Sequence, residues 1–65
     1  MWVEFMTVKN AYAAETWSEL FAAEGLSIRI IPPIGHGEDA SMRDARTLYV
    51  PTGKAHVARE ILRKI

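Results

Sequence analysis

The side chains best suited to chemistry in this sequence lie together in one segment, Ile34–Arg46. That segment holds His36, Arg43 and Arg46 together with three carboxylates and two glycines. An imidazole beside carboxylates can coordinate a metal ion, and arginine can hold a carboxylate or phosphate through two parallel hydrogen bonds. His36, Arg43 and Arg46 are therefore the candidate ligand-binding residues, and an anion is the kind of ligand that the arginines favour.

The same segment lacks the spacing that a specific site requires. Its residues HGED match no ligand spacing with a geometric reason behind it, and PPIGHG lacks the lysine and the additional glycines of a phosphate-binding loop. Ion pairs within the loop would account equally well for its charges. The serines of the chain have no histidine placed to act as their base. We therefore predict no catalytic residue, no metal and no cofactor.

Composition limits the classes of protein to which this chain of 65 residues can belong. A chain of this length forms a single domain, residues 1–65, with a small core. The absence of cysteine excludes disulfides and thiol catalysis. The net charge is zero, with −3 over residues 1–26 and +3 over residues 27–65, so we expect no general attraction to nucleic acid or membranes. No apolar run approaches a membrane span and no secretory signal is evident, so we predict a cytoplasmic location.

Changes in hydrophobic period divide the chain into strands and helices. The first strand alternates aromatic and β-branched residues with others. The first helix has apolar residues at helical spacing, Asn10 as its N-cap and Gly25 as its left-handed stop. In order, the sequence predicts a strand over 2–8, a helix between Asn10 and Gly25, strands over 26–32 and 47–51, and a helix over 53–65 capped by Thr52.

The order strand, helix, strand, strand, helix predicts an α+β fold of two layers. The first crossover is right-handed and makes the first two strands parallel. The third strand then fits between them, antiparallel to both, and both helices cover one face of a three-stranded sheet of order 1-3-2. This is the ferredoxin-like β-α-β-β-α sandwich without its fourth strand.

Two surfaces of that fold would lack a neighbour. The first strand lies at an edge, is apolar and contains no proline, so it is an aggregation hazard if left bare. The sheet face away from the helices mixes apolar side chains with Trp, Tyr and Arg, which are enriched at interfaces. We expect a homodimer through the edge or the face, or a higher homo-oligomer; a monomer protected by Glu4 and Lys9 is the alternative. By alternation, the candidate interface residues are Trp2, Met6, Val8, Ile31 and Tyr49.

Longer stretches of the sequence resemble a known family. The segments AAETWSELFAAEGLSIRI, LYVP and AHVAREIL are similar to the prokaryotic signal-transducing protein family, a group of small domains of unknown function. The resemblance covers nearly the whole chain. It implies a ferredoxin-like domain with a regulatory or sensory role, and it carries over no catalytic residue. The segment IRIIPP also resembles selenium or sulfur carrier-like proteins, which are built around a cysteine that this chain lacks.

These observations together favour a non-catalytic regulatory or sensory module. We expect it to self-associate and to bind a small ligand or a protein partner. The alternative is a small enzyme or carrier protein that uses the loop Ile34–Arg46 to bind an anionic ligand or a metal.

Overall fold

The order of strands and helices is the predicted one. The structure, a computed structural model, describes residues 1–32 and 41–64. Its elements are β1 (Trp2–Val8), α1 (Ala11–Ala23), β2 (Arg29–Ile31), β3 (Arg46–Pro51) and α2 (Ala55–Lys64), with a short 3-10 helix (Thr52–Lys54) leading into α2. Neither of these helices is long and apolar enough to cross a bilayer.

The three strands form one sheet in the order β1-β3-β2. The central strand β3 is antiparallel to both neighbours. Buried residues of α1 and α2 pack against the same side of β3, since Phe21, Ala58 and Ile61 cluster with Val50. The fold is therefore a two-layer α+β sandwich of the ferredoxin-like type, and both predictions, the strand order and the single helical layer, are confirmed.

Both ends of α1 are closed as the sequence predicts. The Asn10 side-chain oxygen accepts a hydrogen bond of 2.8 Å from the amide of Ala13, which satisfies one free donor of the first turn. At the other end Gly25 has φ of 86°. The amide of Gly25 donates to the carbonyl of Ala22, and the amide of Leu26 donates to that of Phe21. These two bonds are a Schellman closure, so the helix stop is fixed by backbone geometry.

The core lies between α1, α2 and the central strand. Phe21, Leu48 and Val50 are the largest fully buried side chains. The Phe5 ring meets that of Phe21 edge-on, with ring centres 5.9 Å apart, an arrangement that aromatic pairs favour. Because these side chains come from β1, α1 and β3, burying them holds the sheet and the helical layer together.

A β-bulge in β1 changes which residues of that strand face the core. The ladder pairs Glu4 with Tyr49 and Met6 with Leu48, leaving Phe5 as the additional residue. Met6 and Val8 consequently pack in the core with Leu48. The prediction that Met6 and Val8 lie on the face away from the helices is wrong, because one additional residue reverses the alternation beyond it.

The other boundaries differ locally from prediction. β2 has three residues rather than seven, because Leu26 is used in closing α1 and is buried in the core. Thr52 does not cap the last helix. Its amide and its hydroxyl both donate to the carbonyl of Met1, at 2.9 and 3.1 Å, so it fastens the start of β1 instead. The helix therefore begins with a 3-10 turn that has no side-chain cap.

The chain offers a matched test of the helix stop. Gly25→Ala should lower the free energy of unfolding by about 1 kcal/mol, because alanine is strained at positive φ; space is not the cause, since nothing lies within 4 Å of the added carbon. Gly53→Ala is the control, with equal space and no positive φ. It should be neutral or slightly stabilising. Urea unfolding midpoints measure both, and equal losses would contradict the assignment.

Candidate functional site

The sheet face opposite the helices carries the side chains that are candidates for binding. We call it the open sheet face. Residues paired directly across a ladder share a face, so the register assigns its members from all three strands. They are Trp2, Glu4, Thr7, Arg29, Ile31, Thr47, Tyr49 and Pro51.

At the centre of the open sheet face three side chains form a row across the strands. Tyr49 on β3 lies opposite Glu4 on one side and opposite Arg29 on the other. The Arg29 guanidinium carbon lies 4.6 Å from the centre of the Trp2 ring. That distance is within the range of a cation–π interaction. Arg29 thus reaches across the central strand, and β1 and β2 are linked on this face through side chains.

The exposure of these residues leaves them accessible to another molecule. Trp2 and Tyr49 are half-buried, whereas Glu4 and Arg29 are exposed, and Ile31 is 40% exposed. Aromatic rings flanked by an arginine, an acid and an aliphatic side chain supply both apolar contact and hydrogen bonding. Of these, tryptophan, tyrosine and arginine are the residue types enriched in protein interfaces.

Three of the five predicted interface residues belong to this face. Trp2, Ile31 and Tyr49 lie on the open sheet face, whereas Met6 and Val8 lie in the core. The sequence contains a signal for the bulge that strict alternation misses. Phe5 and Met6 are adjacent and both apolar, and a polar residue follows at position 7; a strand that buries both neighbours needs one residue out of phase, which a bulge supplies.

The predicted ligand loop is divided by the structure. Residues 33–40 lie outside the described part, and His36 is among them, so the loop prediction stays a prediction there. Arg43 is exposed. Arg46 is only 8% exposed, and its two terminal nitrogens donate to the carbonyls of Ser41 at 2.8 Å and Asp44 at 2.7 Å, with a longer bond of 3.3 Å to Ala45.

Arg46 therefore organises the backbone that enters β3. The turn before it is also closed by the Asp44 carboxylate, which accepts from the amide of Ser41 at 3.0 Å. The carbonyl of Met42 in the same turn accepts from the amide of Ala11 at 2.9 Å, which joins it to the first turn of α1. A positive charge buried among carbonyl oxygens is stabilised by these bonds. The guanidinium of Arg46 thus stabilises the fold and does not act as a clamp for a ligand.

The burial of Arg46 follows from the period of β3. Leu48 and Val50 face the core, and counting back by two places Arg46 on the same side. The predicted strand begins at residue 47, so the prediction assigns Arg46 to the loop and not to the core-facing side of β3. In residues 1–32 and 41–64 no group of three or more histidines and carboxylates is placed to hold a metal ion.

Comparisons with known proteins identify no relative for this chain: no protein family, curated protein or solved structure matches it.

Two arginines, three residues apart in the sequence, provide a test of the structural role of Arg46. Arg46→Lys should lower the free energy of unfolding by about 1–3 kcal/mol, because one ammonium group cannot reach the carbonyls that the guanidinium fork joins. Arg43→Lys, at an exposed position, should change it by less than about 0.5 kcal/mol. Chemical denaturation of both variants gives the comparison. If Arg46→Lys were as harmless as Arg43→Lys, Arg46 would have no structural role.

Proposed function

We propose that this protein is a non-catalytic regulatory or sensory module of the cytoplasm that self-associates and binds a partner through the open sheet face. The observation that supports it best is the Arg29–Trp2 stack beside Tyr49, on the side of the sheet opposite both helices. These three residue types dominate the energetics of protein interfaces.

The geometry of the face favours a protein partner over a small ligand. Sites for small molecules are concave and enclose most of the ligand. Side chains projecting from a three-stranded sheet instead present a broad surface, with the rings of Trp2 and Tyr49 near its centre. A partner that packs an apolar surface on these rings and places an acidic group near Arg29 would match both the shape and the charge.

The dipolar charge pattern supports association with proteins rather than polyanions. The chain has no net charge, and some of its opposite charges pair internally. Lys64 at the end of α2 lies 3.5 Å from Glu24 at the end of α1, and Arg63 lies 3.5 Å from Glu60. Two basic residues at the end of α2 are thus paired with acids. A regulatory role is what the resemblance of the sequence segments to small prokaryotic signal-transducing domains would imply.

Site-directed photocrosslinking in cells would test this proposal. A photoreactive phenylalanine analogue replacing Tyr49 should give a discrete adduct with another protein, because that side chain lies on the open sheet face. The same analogue at Tyr12, which is 63% exposed on α1, is the matched control and should not give this adduct. Adding Trp2→Glu to the Tyr49 variant should abolish the adduct by removing the stacked ring.

Circular dichroism of each variant confirms that the chain still folds. Identical adducts from positions 49 and 12 would show that the open sheet face is not the binding surface. Turnover of a substrate by the purified protein, dependent on His36 or Arg43, would contradict the non-catalytic part of the proposal.

A further inference from the structure

The bulge gives β1 a symmetry that its sequence does not show. From Trp2 to Glu4, residues alternate between the open sheet face and the core. The next two residues, Phe5 and Met6, both contact the core, and the alternation then resumes. Read along residues 3–8, the facing pattern is core, open, core, core, open, core. The pattern is identical in both directions about the bond between Phe5 and Met6.

We propose that β1 pairs antiparallel with β1 of a second copy of this chain, with the two-fold axis between Phe5 and Met6. This proposal rests on the self-association proposed above and specifies its register. Antiparallel residues directly opposite each other must share a face. Only a register in which paired residue numbers add to eleven meets that condition along the whole of residues 3–8.

The bulge also argues for a second copy over other occupants of the edge. Among the described residues β3 is the only strand paired with β1, so the other edge of β1 has no neighbouring strand there. A regular strand on that edge would again place one residue opposite two of β1, as β3 does, and would leave the ladder interrupted at the bulge. A strand with the same bulge at the same place has equal numbers of residues opposite each other on the two paired strands.

The residue pairs created by this register are compatible. Val3 would face Val8 of the second copy, and Glu4 would face Thr7, so no two like charges oppose each other. Val3 is 38% exposed although it faces the helical layer, and the second copy would cover it. Each pair occurs twice because the interface is isologous.

The dimer would combine the two open sheet faces into one surface. Pairing through β1 gives a six-stranded sheet in the order β2-β3-β1-β1-β3-β2, with all four helices on one side. The two sets of Trp2, Glu4 and Thr7 would then be neighbours on the other side. A partner would meet a continuous face rather than two separate ones.

The cysteine-free chain allows a direct test of the register. Glu4→Cys and Thr7→Cys proteins are prepared separately, mixed and oxidised. In the proposed register residues 4 and 7 are opposite, at the Cα separation of about 5 Å that a disulfide accepts. The mixture should give a covalent heterodimer. Neither protein alone should crosslink, because identical residues would be offset by three positions, about 10 Å along the strand.

Charge changes at the exposed residue Thr7 provide a second, independent test. Thr7→Lys would place an ammonium group opposite each Glu4 of the second copy, and Thr7→Glu would place a carboxylate there. The dissociation constant of the dimer should fall for the lysine variant and rise for the glutamate variant, by roughly 2- to 30-fold each. Sedimentation equilibrium measures the constants, and 1 M salt should reduce the difference.

The outcomes separate this proposal from the proposed function. Crosslinking of either cysteine protein alone, or equal effects of lysine and glutamate at position 7, would overturn the register while leaving self-association intact. A monomer at all concentrations would overturn both the register and self-association, while the photocrosslinks at Tyr49 would still report on partner binding. Crosslinking of the mixture alone, with opposite charge effects, supports the register.

Discussion

The one additional residue in β1 is the constraint on which the arrangement of this small protein depends. With Phe5 inserted against β3, four apolar side chains of the strand face the helices, although they are not evenly spaced in sequence. A regular strand would turn Met6 and Val8 to the other face and remove their contacts with Leu48. Since a core of this size has few side chains, losing two of them would remove a large fraction of the free energy of unfolding. The bulge therefore determines both what is buried and what remains for binding.

Arg46 is a second residue whose burial determines how the elements of this small fold are connected. A core-facing position in β3 is given to a charged residue, and its guanidinium is satisfied by carbonyls of the turn that precedes the strand. In the same turn, the carbonyl of Met42 accepts a hydrogen bond from the first amide of α1. One side chain thereby connects the entry to the central strand with the start of a helix. Buried polar groups are tolerated when every donor finds an acceptor.

The sequence was sufficient for those features that depend on local chemistry. The Asn10 cap, the Gly25 stop and the strand order follow from capping residues, positive φ and the rules for crossovers. The bulge was missed because strict alternation from one end of a strand does not detect a change of phase. The burial of Arg46 was missed because the predicted strand begins at residue 47, one residue after the regular period of β3 starts. The Arg29–Trp2 stack could not be predicted, because it joins two edge strands across a third and depends on their relative register.

Because β1 contributes both to the open sheet face and to the free edge, the two proposed activities are physically coupled. Trp2 and Glu4 belong to the face, while the backbone of the same strand would form the pairing with a second copy. A partner that spans both copies would bind the dimer more tightly than the monomer, and by linkage it would stabilise the dimer to the same extent. Protein concentration would then influence partner binding without any change in the fold. A strand edge and a strand face would thus be enough for the proposed partner binding to depend on protein concentration.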